Sequence, residues 1–567
     1  MNTEHNIYQL HKIVLLLPVL LSILLPMMCA YYESREYNAA GICLSVYVVI
    51  LIYAITSAKI VSVSSTDIAV LAFSVYVLLD DYIRMRIAGS YLLEIGLLLT
   101  AYLVGRWWGS VQGGFRLFLY GMILSGTVQS VMAIFQCFGL LFYNHPAFPV
   151  IGSFFNPGML GGYVCISLIS AAGLLLYAPP RNFCLKLFLY VCILLTGIVC
   201  ILSESRAACV AAFVALFFII TYKLRIRRLF KVAGFIVALS LLAVPVYMYK
   251  QKSADSRLLI WKVCSELICE SPLTGHGADA VKRNYMPQLA DYLSHSNGLT
   301  DKILAADNTY AFNEIVRIMC EYGLIGIILL CIILYTLTKG VRNEAWKIGS
   351  FLLLGYGIFS LFSYPRDCMP LLLWFPFLIG MLSDRKLYSI KVNVRLKVFF
   401  FLIIAVCAVI SVRQWYYYRK LDTALVDYCW RGTHGDYLQN EYPCFAKRTD
   451  FVLKYAQILL MKEESKIAIP VLEQATRLCP TTEIYCKLGL LYQQAANWEQ
   501  SEQRIRYAAT MVPTYITPKF LLFRLYLQSE QKNKADSIAP EIIGMKVKIE
   551  NKEVKRMKAE VQDYFNK

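Results

Sequence analysis

Residues 185–222 read LKLFLYVCILLTGIVCILSESRAACVAAFVALFFIITY, two apolar runs joined by the polar hinge Ser203-Glu204-Ser205-Arg206. Each run approaches the roughly 20 helical residues that a bilayer crossing needs, so the stretch reads as a membrane hairpin. Charge-poor runs of the same kind recur at 13–30, 39–57, 66–83, 90–105, 116–139, 158–178, 185–203, 206–222, 229–249, 310–337, 347–363, 367–383 and 397–416. The expectation is an all-α, polytopic transmembrane helix bundle of about thirteen spans, because backbone amides in hydrocarbon must be satisfied within their own segment. A barrel would need short alternating strands, which the sequence lacks. The composition, 58% hydrophobic and 17% charged, excludes an ordinary soluble domain. The uncharged run from Ile13 to Ala30 is too long, too weakly preceded by basic residues and too poor in a cleavage site for a signal peptide, so it reads as a retained helix.

A net charge of +18 could suggest nucleic acid, but the Lys and Arg residues sit in short loops and not along one face. They read as topology signals, with no nucleic-acid partner. Lys223, Arg225, Arg227, Arg228 and Lys231 form the strongest cluster, and Lys339, Arg342 and Lys347 a second; both belong in the cytoplasm by the positive-inside bias. Counting outward from them puts the amino terminus inside, and the 140–157 and 250–309 segments outside. Most of the eighteen Cys lie in apolar helices, where each acts as a small hydrophobe. No CxxC pair or His/Cys cluster suggests a metal, and no cofactor is expected. Cys479 and Cys486 could pair if the tail is extracytoplasmic.

After about residue 440 the chain turns polar, rich in Glu, Lys and Gln. Pro480 and Pro513 lie 33 residues apart, and aligning them sets Ala456 over Gly489, Ala468 over Ser501 and Ala475 over Ala508. Tyr485, Leu488, Gly489, Tyr492, Ala508 and Pro513 resemble the tetratricopeptide pattern, in which small residues let paired helices approach closely. The expected organisation is a membrane domain over 1–420, a soluble helical-repeat domain over 445–545 and a charged tail over 546–567. The repeat domain reads as a docking surface for a protein partner, separate from the catalytic centre. Arg385, Lys386, Lys391, Arg395 and Lys397 precede the last span, while Trp415 and Tyr416 to Tyr418 mark its interface, which favours a periplasmic tail.

Two arginines draw attention. Arg206 stands at the outer mouth of a helix, and Arg257 lies in the outer segment just before Trp261. A guanidinium is always charged and its planar fork grips phosphate oxygens in two places. Taken singly, each could equally be an interfacial anchor or a solvated loop charge.

Their company is more telling. Gly152-Ser-Phe-Phe-Asn156-Pro157, Ser203-Glu-Ser-Arg206-Ala, Arg257 with Trp261, Ser271-Pro-Leu-Thr-Gly275-His-Gly277, and Asn313-Glu314 followed by Glu321-Tyr-Gly323-Leu-Ile-Gly326 occur in this order. Over roughly 145–340 this order resembles the O-antigen ligase and polymerase superfamily. The resemblance implies an inner-membrane glycosyltransferase, metal-independent, that moves a glycan from an undecaprenyl-diphosphate carrier to lipid A core, to protein or to another glycan, in contact with membrane lipids. It also implies Arg206 and Arg257 as diphosphate ligands, with Asn156, Gly275, Gly277 and Asn313 around the substrate. Many relatives carry His immediately before the Asn at position 313; here that residue is Phe312, which cannot take a proton. His295, Asp307 and Glu314 are the nearby groups with suitable chemistry, and His295 and Glu314 are the expected catalytic candidates. Glu321 reads as structural, paired with Arg317 one turn away. A polymerase is the alternative within the family. A transporter or flippase is the alternative outside it, disfavoured because the polarity is concentrated in one outer segment and not in two related halves.

Overall fold

The computed structural model describes the chain except residues 1, 30–32, 85–88, 142–147, 228, 231, 235–250, 296–297, 341–342, 384–385, 432–436, 548–549 and 567. The described chain is nearly all helical, with helices at twelve of the thirteen expected spans; most of the expected 229–249 span lies outside the described residues. Among the described residues, six helices are both long and apolar enough to cross a membrane: Ala39–Ser57, Gly114–Cys137, Pro157–Tyr177, Phe183–Leu202, Arg206–Lys223 and Glu314–Thr338. Others, such as Glu344–Ser360 and Met369–Leu382, are shorter.

The helix Pro157–Tyr177 is the central post of the membrane bundle and is buried over most of its length. Its start is encoded locally: Asn156 accepts from the Gly158 amide at 2.7 Å, and Pro157 occupies the first helical position, where its missing amide costs nothing. The hairpin read from 185–222 is present as Phe183–Leu202 and Arg206–Lys223, and Ser205 caps the second helix through the Ala208 amide. One departure from an all-helical chain is a two-stranded antiparallel ribbon, Ile60–Ser64 against Lys386–Lys391. It joins two loops far apart in sequence, which local periodicity does not report.

The segment expected on the outer side folds as helices Gln251–Glu270, Ala280–His295 and Leu299–Leu304. The carboxy-terminal region is a row of short helices: Thr449–Met461, Ser465–Leu478, Thr482–Gln494, Trp498–Met511, Ile516–Gln528, Lys532–Gly544 and Lys552–Phe565. The small residues aligned in the sequence, Ala456, Ala468, Ser501, Ala475 and Ala508, are all buried at helix contacts, and the Ser501 hydroxyl donates to the Gly489 carbonyl at 2.7 Å. The 546–567 segment, expected as a charged tail, contains the last helix, whose Val554, Met557 and Val561 join the core of Phe523 and Ile542. Nor does the row stand apart from the outer segment. Tyr485, Cys486, Ala508, Met511 and Val512 share one apolar core with Met286, Leu289, Ala290 and Leu293. Cys479 and Cys486 are both buried as free thiols.

Candidate functional site

The site is organised by a break in the helix Glu314–Thr338. Gly323 has φ 60° and ψ −159°, a conformation closed to residues with a side chain, and it interrupts the helix after about two and a half turns. A break strands carbonyls on one side and amides on the other, a serious cost near a membrane. The segment Pro272–Gly277 fills the gap on both sides. His276 and Gly277 donate their amides to Cys320 O at 2.8 Å and Glu321 O at 2.7 Å, while the Leu324 and Ile325 amides donate to Pro272 O at 2.9 Å and Leu273 O at 3.2 Å. The Tyr76 hydroxyl takes the remaining carbonyl, Tyr322 O, at 3.0 Å. Backbone meets backbone so closely that a Cβ on Gly323 would lie 2.3 Å from Leu273 O, and one on Gly275 would lie 2.5 Å from the Glu321 carbonyl carbon. Gly275 and Gly277, expected to shape a turn near the substrate, are thus built into the splice. Arg84 ties it further, donating to Gly275 O at 2.9 Å.

Below the splice lies a buried ion network. Arg317 donates to Glu321 Oε1 at 3.1 Å and to Asp367 Oδ2 at 2.6 Å, and Arg366 bridges Glu321 Oε2 at 2.6 Å and Glu94 at 3.0 Å. The pairing of Arg317 with Glu321 was legible in their spacing; Glu94, Arg366 and Asp367 were not, because they arrive from distant loops and helices. Glu314 lines the cavity beside this network, with Arg317 at 3.9 Å and the Arg366 amide donating to it at 3.4 Å. Lys282 lies 3.6 Å from Asp279 and 4.0 Å from Asp367, and these two carboxylates, Asp279 foremost, hold its ammonium well above the usual range despite burial.

The opposite side is cationic. Arg257 donates to Phe362 O at 2.7 Å and stacks its guanidinium 4.9 Å from the centre of the Phe312 ring. Burial, with the nearby charge of Arg206, pushes Arg257 down to about 10, so it remains charged at neutral pH. Among the described residues no carboxylate pairs with it. Arg206 reaches Ser253 at 3.0 Å, one turn before Arg257 on the same helix. The two expected diphosphate ligands therefore converge, although they are 51 positions apart. Phe312 sits between Arg257 and the cavity, packed edge-on against Tyr310 and Tyr364, which stack on each other at 4.3 Å. Asn313 caps the broken helix by accepting from the Ile315 amide at 2.9 Å and the Val316 amide at 3.2 Å.

Of the remaining expected residues, Asn156 caps the central helix, where the Gly158 carbonyl meets the Ser205 hydroxyl at 3.5 Å, beside the start of the Arg206 helix. His295 is not brought to the cavity. Its exposed ring hydrogen-bonds within its own helix, to Asp291 O at 3.0 Å and Ser294 at 3.2 Å. Asp307 is engaged elsewhere, by Thr482 and Tyr515 of the carboxy-terminal row. Among the described residues no cluster of three or more His, Cys, Asp or Glu has metal-binding geometry.

No curated protein matches the chain. Residues 191–331, which carry both arginines, the splice, Asn313 and Glu314, match the family model described as O-Antigen ligase, and this segment supports placing the chain with the O-antigen ligase superfamily of membrane enzymes.

Proposed function

We propose that the chain is a membrane glycosyltransferase of the O-antigen ligase type, acting on the outer face of a bacterial inner membrane. Its donor is a glycan on undecaprenyl diphosphate and its acceptor a hydroxyl of lipid A core, protein or another glycan. The observation that carries this reading is the convergence of Arg206 and Arg257 beside Phe312, within the segment that matches the family. Two clustered like charges, one of them without a carboxylate partner among the described residues, favour a multiply charged anion, and arginine grips diphosphate bidentately.

The charge distribution supports a division of labour. The acceptor hydroxyl attacks the anomeric carbon, the bond from that carbon to the diphosphate oxygen breaks, and the leaving diphosphate stays against the two guanidinium groups as its charge grows. The acceptor proton goes to a carboxylate on the other side of Phe312. We assign that role to Glu314, which lines the cavity, and not to His295. The polymerase reading differs only in the acceptor. Deletion of the gene with analysis of surface glycans tests the proposal: glycan attachment or chain length should be lost, and unchanged surface glycans would refute it.

A further inference from the structure

The strap of chain from Ala305 to Asn313 joins the outer helices to the broken helix and carries Phe312 and Asn313. Its far end is held at two points: the Trp261 indole donates to Ala311 O at 2.9 Å, and the Phe312 ring lies under Arg257. Its middle is folded on itself, since Asn308 bonds both the carbonyl and the amide of Tyr310, at 2.6 and 3.2 Å. Its near end is held by a different part of the molecule. The Asp307 carboxylate receives the Thr482 amide at 3.0 Å through one oxygen and the Thr482 hydroxyl through the other, while the Asp307 amide donates to the Tyr515 hydroxyl at 3.3 Å. Thr482 is the first residue of the helix Thr482–Gln494, whose amides and dipole favour a carboxylate there.

The turn before that helix lies within electrostatic reach of residues that line the cavity. Cys479 is buried, burial pushes its thiol up to about 11, and the charges it feels are Lys282, Asp279 and Asp307, two of which line the cavity. An apolar seam backs the contact, with Tyr485, Met511 and Val512 set among Leu289 and Leu293.

We infer that the carboxy-terminal helical row is a working part of the donor site, with Thr482 and Asp307 as positioning residues that hold the 305–313 strap so that Phe312 and Arg257 face the diphosphate. A partner or acceptor that shifted this row would shift the strap with it, which links occupancy of the tail to the grip on the donor. The inference rests on the proposed function, and its test separates the two. The full-length protein, purified in nanodiscs, is titrated with undecaprenyl diphosphate as wild type, Thr482→Ser, Thr482→Val and Asp307→Asn, with thermal melting to monitor folding. Thr482→Ser keeps the hydroxyl and should bind as wild type does. Thr482→Val and Asp307→Asn should weaken binding by about tenfold, the loss of one charge-assisted bond, with melting temperatures close to wild type. Equal affinity in wild type and Thr482→Val would overturn the positioning role while leaving the donor assignment standing. No binding by wild type would overturn the donor assignment, and the inference with it. Weakened binding that merely followed a lowered melting temperature in both valine and serine variants would reduce the contact to structural support and overturn the positioning role.

Discussion

At the scale of single residues, the two arginines are distinguished from ordinary surface charges by what surrounds them. Arg257 is partly buried, stacked on an aromatic ring and close to a second guanidinium, and the burial and that neighbouring charge lower its pKa. Lysine would keep the charge but lose both the ring stacking and the bidentate geometry. Arg206→Lys and Arg257→Lys should therefore each lower transfer by on the order of 10²–10³, with normal amounts of inserted protein on immunoblots. The acid–base assignment has its own test. Glu314→Gln should lower the rate by about 10²–10⁴ and remove the acidic limb of the pH–rate profile, whereas His295→Ala should leave rate and profile unchanged; the reverse pattern would return the base to His295. Arg206 and Glu314 stood out in the sequence as charges at the mouths of apolar helices, and Arg257 only through the motif order that resembles the family. Arg366 and Asp367 were missed because a short inter-helix loop gives no hint of what it will touch, and Asp307 looked like a base because its partner lies 175 residues away.

At the scale of elements, the splice between Pro272–Gly277 and the broken helix is the feature on which the cavity depends. The carbonyls of Cys320, Glu321 and Tyr322 and the amides of Leu324 and Ile325 find their partners outside the helix, and Gly323 is the residue whose lack of a side chain permits both the backbone angles and the contact. Gly323→Ala combines a strained conformation with a collision against Leu273 O, and should cost more than about 3 kcal/mol, read as a large fall in melting temperature and in folded protein recovered. An alanine variant that melted like wild type would mean that the helix runs through unbroken. The helix itself was evident from its apolar length. The break was not, since glycine is common in membrane helices, and only the loop that fills the gap distinguishes this one from the rest.

For the whole molecule, the long-range contacts that join loops and helix ends include two groups, one at each end of the helices. Ile60–Ser64 pairs with Lys386–Lys391, Arg116 meets Glu344 at 3.2 Å, and Lys397 donates to Thr56 O at 2.7 Å. The other group joins Arg84 to Gly275, Arg257 to Phe362, Arg366 to Glu321 and Asp307 to Thr482. This sorting agrees with the alternation drawn from basic loops, because no contact in either group joins segments assigned to opposite sides. It also fixes the tail on the side of the outer segment, which they share through one core. Reporter fusions near residues 290 and 440 should therefore give the same, extracytoplasmic signal; a cytoplasmic signal at 440 would contradict the docking of the tail. The apolar helices and the polar composition of the chain after about residue 440 were readable from the sequence. That the carboxy-terminal helices share a core with Ala280–His295 was not, because helix faces that pair across so long a stretch of sequence leave no local periodicity to read.

The most direct test of the central claim is turnover of the lipid-linked donor in cells lacking the gene and carrying either the wild-type chain or Arg257→Lys. Loss of the gene should cause the undecaprenyl-diphosphate-linked glycan to accumulate, the wild-type chain should clear it, and Arg257→Lys, though inserted at normal levels, should not. Clearance by Arg257→Lys at a rate near wild type, or no accumulation when the gene is removed, would contradict the diphosphate grip on which the proposed chemistry rests.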